Sequence, residues 1–83
     1  MSITVRYFAS IREAVQTSGE SWQTSAPTLG ALRDELIARG GAHADALARG
    51  KAVRMAVNQV MGDDQTALPA GAEVAFFPPV TGG

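Results

Sequence analysis

The clearest helix in this chain limits what the rest can do. Leu29, Leu32, Leu36 and Ile37 recur at three- and four-residue spacing, which brings all four to one face of a helix. Thr28, following Pro27, carries the side-chain oxygen that an N-cap requires. Arg33, Asp34, Glu35 and Arg39 are expected mostly on the opposite, solvated face. Gly40-Gly41 supplies the stop, because glycine takes the left-handed conformation that closes a helix. In a chain of 83 residues there is room for one core only, so the strands must share this helix as their cover.

Strand periodicity sits at both ends. Ile3, Val5 and Tyr7 alternate with Thr4 and Arg6, predicting a strand over residues 2–8. Ala72 to Phe77 predicts the last strand, with Val74 and Phe76 facing one way and Glu73, Ala75 and Phe77 the other. Phe76 is therefore expected in the core and Phe77 near an apolar patch. Between the ends, Ser10 and Glu13 have the spacing of a capping box, before a short helix that shows Ile11, Ala14 and Val15 on one face and stops ahead of Gly19. Residues 20–24, around Trp22, predict a second strand. Ala42 to Arg49 predicts a short, weakly anchored helix or a loop with helical turns, Leu47 being its one large apolar residue. Val53, Met55 and Val57 predict a strand over residues 52–58, and Gly62-Asp63-Asp64 predicts a turn. Thr66 to Leu68 is expected as a brief strand. Pro69-Ala70-Gly71 predicts a tight turn with Pro second and Gly fourth.

The expected fold class is α+β: a mixed sheet with one main helix packed on one face. One way of joining the pieces sets the first and last strands side by side and parallel at the sheet centre, with the long helix in the crossover, which is the β-grasp or ubiquitin-like arrangement. The expected division is a domain over residues 1–77 and an extended tail over residues 78–83.

Composition narrows the chemistry. Without cysteine, the chain has no disulfide, thiolate nucleophile or cysteine metal site, and with His43 as its one histidine it has no histidine-rich metal site either. No metal and no tightly bound cofactor are expected. Seven basic and eight acidic side chains offer no electrostatic footprint for nucleic acid or an anionic membrane. No apolar run has the roughly 20 residues a membrane span needs, and Arg6, Arg12 and Glu13 fall where a signal peptide would be apolar. The expectation is a soluble, cytoplasmic protein. Asp34-Glu35, Asp63-Asp64 and His43 are expected as solvated surface groups, and Lys51, the single lysine, as a turn residue.

The last residues, Phe76-Phe77-Pro78-Pro79-Val80-Thr81-Gly82-Gly83, differ in kind. Two terminal glycines make a tail narrow enough to be threaded through a tight channel. Two prolines stiffen its exit, so less entropy is lost on insertion. The reactive group at its tip is the α-carboxylate of Gly83. ATP converts a carboxylate to an acyl-adenylate, and a sulfur or nitrogen nucleophile then displaces AMP. No side chain of this chain is needed for that step.

Taken together, Tyr7-Phe8-Ala9 with Arg12-Glu13, the Leu29 to Leu36 helix, Ala56-Val57-Asn58-Gln59, and above all Gly71 to Gly83 resemble the small subunit of molybdopterin synthase, the MoaD-type ubiquitin-like sulfur carriers. One departure is Ala72, where the family has an acidic residue after the turn glycine. The resemblance implies that Gly83 is adenylated by a MoeB-type, E1-like enzyme using ATP and converted to a thiocarboxylate. It implies that Phe77, Pro78, Pro79, Val80, Thr81 and Gly82 dock on the large, MoaE-type subunit, in a heterotetramer of two small and two large subunits. Sulfur then passes to precursor Z (cyclic pyranopterin monophosphate) in molybdenum cofactor biosynthesis. On this reading the chain is a noncatalytic, sulfur-donating subunit, the active site lying on its partner. Other readings are a thiazole-type sulfur carrier, a ubiquitin-like protein modifier, and a binding module whose tail is irrelevant.

Overall fold

β1 (Ser2–Tyr7) buries Ile3, Val5 and Tyr7 and exposes the residues between them, as the alternation predicts. α1 (Ala9–Val15), β2 (Gly19–Gln23), α2 (Leu29–Ile37), α3 (Gly41–Leu47), β3 (Arg54–Val57), β4 (Val60–Gly62) and β5 (Glu73–Phe77) follow in chain order. This computed structural model describes residues 1–79.

The five strands form one sheet in the order β2-β1-β5-β3-β4. β1 and β5 are parallel, Val5 opposite Val74 and Tyr7 opposite Phe76, and the other neighbours are antiparallel. A parallel pair cannot be joined by a hairpin, so everything between the two ends serves as a crossover, and α2 is its main covering element. That is the β-grasp arrangement. Leu29, Leu32 and Leu36 of α2 have no exposed surface, and they join Val5, Tyr7, Met55, Val74 and Phe76 in a single cluster. Each such side chain contributes about 1.5–3 kcal/mol by leaving water. Thr28 caps α2, its Oγ1 accepting from the Ala31 amide at 3.2 Å.

Local details differ from the sequence expectations. Ser10 and Glu13 do not form a capping box: α1 starts earlier, at Ala9, and the Phe8 carbonyl receives both the Ile11 and Arg12 amides, which leaves Ser10 inside the first turn. α2 ends at Ile37, ahead of the glycines; Gly40, at φ 78°, instead opens α3 as its N-cap. α3 is firmly seated, with Ala46 and Leu47 buried and the helix packed on both α1 and α2. The strand expected over residues 52–58 is shorter, because Asn58 and Gln59 take positive φ (49° and 69°) and turn the chain into β4. Consecutive left-handed residues match the twist of a two-residue hairpin. Thr66 to Leu68 forms no strand, only a single bridge between Ala67 and Thr28. The next turn is offset by one residue: the Ala72 amide donates to Pro69 O, putting Pro first and Gly71, at φ 74°, third. A positive φ at the third position is what a type II turn asks of glycine.

Arg33 is the largest departure. It is 6 % exposed, not on a solvated face. Its Nε donates to Leu47 O at 2.8 Å, and its Nη2 donates to Ala48 O at 2.8 Å and Lys51 O at 3.3 Å. The aliphatic stem lies in the core while the guanidinium collects carbonyls that the end of α3 leaves unpaired. Burial lowers the pKa of Arg33 from the usual arginine value, with the nearby Arg49 charge acting in the same direction.

Candidate functional site at the tail root

β5 aims the C-terminal segment, and the site is built outward from it. Alternation places Val74 and Phe76 against the helices, both fully buried, and turns Ala75 and Phe77 to the open face of the sheet. The expected division between the two phenylalanines holds: Phe76 is core and Phe77 half-buried. Pro78 and Pro79 follow, both half-buried and outside the strand. Val80, Thr81, Gly82 and Gly83 lie outside the described residues.

Register assembles the surface around Phe77. Arg54 is its partner on β3. On the other side, Phe8 keeps an extended backbone and donates its amide to Phe76 O at 3.1 Å, continuing the β1–β5 ladder by one residue. Phe8 therefore stands beside Phe77 on the open face, 43 % exposed. The next row runs Arg6, Ala75, Ala56, Met61 across four strands. Phe8, Phe77, Ala75, Ala56 and Met61 form an apolar patch at the tail root, bordered by Arg54 and by the Arg6–Glu73 pair at 3.5 Å. Phe8 enters the sequence reading only within Tyr7-Phe8-Ala9, and Met61 lies outside every motif of it. The parity that sends Thr4 and Arg6 outward sends Phe8 outward too, whereas Met61 depended on a hairpin that went unrecognised.

The hairpin is locked onto β5. Asn58 N donates to Glu73 O at 2.8 Å, and Asn58 Oδ1 accepts from Glu73 N at 3.0 Å. Behind the patch, Tyr7 stacks on Phe76 with centroids 6.2 Å apart and meets the His43 ring edge-on at 5.7 Å. Glu20 Oε2 gathers three groups: it accepts from Tyr7 Oη at 2.7 Å and Arg39 Nη1 at 2.8 Å, and His43 Nε2 lies 3.2 Å away. Burial alone would raise the Glu20 pKa, but the bonds from Arg39, Tyr7 and His43 outweigh it and hold the carboxyl below its ordinary value. Burial, with the Glu20 carboxylate beside it, pushes the Tyr7 phenol well above its usual range. His43 is thus a half-buried bridge from α3 to β2, not a solvated histidine.

Of the paired acids, Asp34, Asp63 and Asp64 are exposed, as expected, and Glu35 is half-buried. Glu35 Oε1 accepts from Trp22 Nε1 at 3.1 Å and Thr24 Oγ1 at 2.7 Å. Arg49 binds Asp34 through Nε and Asp64 through Nη1, and donates Nη2 to Gly30 O at 2.9 Å. Those acids raise the Arg49 pKa. Beside Pro79 an open groove of about 610 Å³ runs between Val53, Met55 and the Asp63–Gln65 loop.

The side chains of this patch, Phe8, Phe77, Ala75, Ala56 and Met61, supply contact area and shape, and none of them is a general acid, base or nucleophile. The patch is suited to docking.

Comparison with known proteins places this geometry. The profile of the ThiS family matches residues 5–83. The molybdopterin synthase sulfur carrier subunit of Escherichia coli strain K12 is 44% identical over 81 residues, 98% of this chain and 99% of that protein. The Haemophilus influenzae protein of the same name is 37% identical over the same shares. A solved complex of subunits 1 and 2 of the molybdopterin-converting factor from Helicobacter pylori contains a chain that superposes with a TM-score of 0.69 at 26% identity, covering 100% of both chains. The chain belongs to the ThiS family, and the two curated relatives it matches over nearly their whole length bear the name molybdopterin synthase sulfur carrier subunit.

Proposed function

We propose that this chain is the sulfur-carrying small subunit of a molybdopterin synthase and that its one reacting group is the C-terminal carboxyl of Gly83. The observation that carries this reading is a rigid β-grasp body whose central strand leads directly into Pro78-Pro79-Val80-Thr81-Gly82-Gly83, in a family whose members here are sulfur carriers. An E1-like, MoeB-type enzyme joins the carboxylate to AMP with release of pyrophosphate. A sulfur donor displaces AMP, leaving a thiocarboxylate. The thiocarboxylate then transfers sulfur to precursor Z within the large, MoaE-type subunit, and two charged chains supply the two sulfurs of the dithiolene.

The apolar patch explains how the tail is delivered. Phe77 and Phe8 are large, partly exposed aromatics at the point where the tail leaves the sheet, and aromatic anchors of this kind dominate interface energetics. The Helicobacter pylori complex pairs the related chain with a second subunit, which supports a large-subunit partner here. A heterotetramer of two small and two large subunits in the cytoplasm completes the proposal. Adding one residue after Gly83 tests it. Dithiolene formation by the reconstituted synthase is then lost while the melting temperature stays unchanged; retained activity contradicts the carrier role.

A further inference from the structure

Ala56-Val57-Asn58-Gln59 ends β3 and turns the chain into β4. β3 pairs with β5 as far as Val57 opposite Val74. One residue on, Asn58 leaves the extended backbone for φ 49°, and Gln59 follows at φ 69°. The rung to β5 is completed nonetheless. Asn58 N donates to Glu73 O at 2.8 Å, and the Glu73 amide donates to the side-chain Oδ1 of Asn58 at 3.0 Å. In an antiparallel ladder a bonded pair exchanges two main-chain bonds. Here a side-chain carbonyl takes one of those places, which releases the main chain to turn. Asparagine meets both demands, because it tolerates a left-handed backbone and carries a short side-chain acceptor.

That turn decides where Met61 stands. β4 is three residues long and lies at the sheet edge, with β3 as its strand neighbour. A hairpin this short has little stability of its own. Its two sides are not interchangeable: Gly62, opposite Met55, faces the core, where a Cβ would lie 2.8 Å from both Leu29 Cδ1 and Thr66 Oγ1. Met61, opposite Ala56, consequently stands on the open face, 56 % exposed, in the row that continues through Ala75. The clamp also fixes the main chain of Glu73, whose carboxylate pairs with Arg6 at the border of the same patch.

We infer that Asn58 is a positioning residue for partner docking: by clamping the turn to Glu73 it holds β4 so that Met61 meets the large subunit together with Phe77 and Phe8. The inference rests on the carrier reading, in which this patch receives that subunit. Asn58 acts through Met61. A methionine on a fixed strand loses less conformational freedom on binding than one on a fraying edge, and the difference appears as affinity. Removing the clamp leaves every contact side chain of the patch present and lets β4 open locally. The core beneath, at Val74 and Phe76, keeps its packing against the helices.

The test measures calorimetric binding of the full chain to the MoaE-type large subunit. Asn58→Gly keeps the left-handed backbone and deletes the acceptor, and it is made alone and together with Met61→Ala. Each single substitution is expected to weaken binding about fivefold, and the pair by little more than about fivefold, because a displaced Met61 has nothing left to lose. Amide hydrogen exchange in the free Asn58→Gly chain is expected to quicken in β4 more than in β1 and β5. Asn58→Asp keeps an acceptor in place and is expected to bind within about twofold of the parent. Losses that simply multiply in the double variant, an Asn58→Gly chain that binds like the parent, exchange unchanged in β4, or an Asn58→Asp chain as weak as Asn58→Gly each overturn the inference and leave the carrier reading intact. A parent chain that binds no large subunit overturns both.

Discussion

Phe76 and Phe77 are neighbours in the chain with opposite duties, one fully enclosed against Tyr7 and the other half-buried on the open face beside Phe8. Phe76→Ala should lower unfolding free energy by about 3–5 kcal/mol, as removal of a buried aromatic does. Phe77→Ala should leave the denaturation midpoint much closer to the parent and instead weaken binding to the large subunit by about 2 kcal/mol, the scale of an interface anchor. Urea titration and calorimetric binding separate the two effects.

Arg33 ties α2 to the end of α3 through three carbonyls, of Leu47, Ala48 and Lys51. Arg33→Met keeps much of the apolar stem and strands those acceptors, so the expected loss is about 2–4 kcal/mol. Arg33→Lys should recover only part of it, because an ammonium lacks the planar fork. Chemical denaturation of the two variants checks the order.

Glu20 sets an acid limit on stability. Its carboxyl is held below the ordinary value in the folded state, so it contributes stability above the unfolded-state pKa and loses it as pH falls through the lowered folded value. The groups facing it are Tyr7, Arg39 and His43. Glu20→Gln should be less stable than the parent near neutrality and flatter between roughly pH 5 and pH 2, read as urea midpoints against pH.

Gly30 sits where α2 meets the loop after β4, and a Cβ there would lie 2.9 Å from both the Cβ and the carbonyl oxygen of Asp64. Gly30→Ala should cost about 1–3 kcal/mol despite alanine's better helix propensity, since the loop backbone must shift. A thermal melt showing stabilisation would contradict this packing.

Period-2 and period-3.6 patterns were readable because single faces are buried: Ile3, Val5, Tyr7, Leu29, Leu32, Leu36, Val74 and Phe76 all sit where alternation or helical spacing puts them. What periodicity could not show is tertiary in origin. Arg33 belongs by composition to a solvated face and is recruited inward by carbonyls from α3. Glu20, Arg39 and His43 come from three separate segments and meet only in the fold. The Asn58-Gln59 turn lacks the glycine that normally signals such a hairpin, so β4 and Met61 stayed hidden. The tail was legible from its chemistry rather than its pattern, because Gly82-Gly83 leaves one carboxylate and little else.

The measurement that bears most directly on the carrier role is the intact mass of the chain after incubation with an E1-like enzyme, ATP and a sulfur donor. The account predicts one oxygen replaced by sulfur, located at Gly83 by fragmentation and absent when Gly83 is removed. An unchanged mass in the presence of a demonstrably active enzyme, or sulfur located anywhere else in the chain, would contradict it.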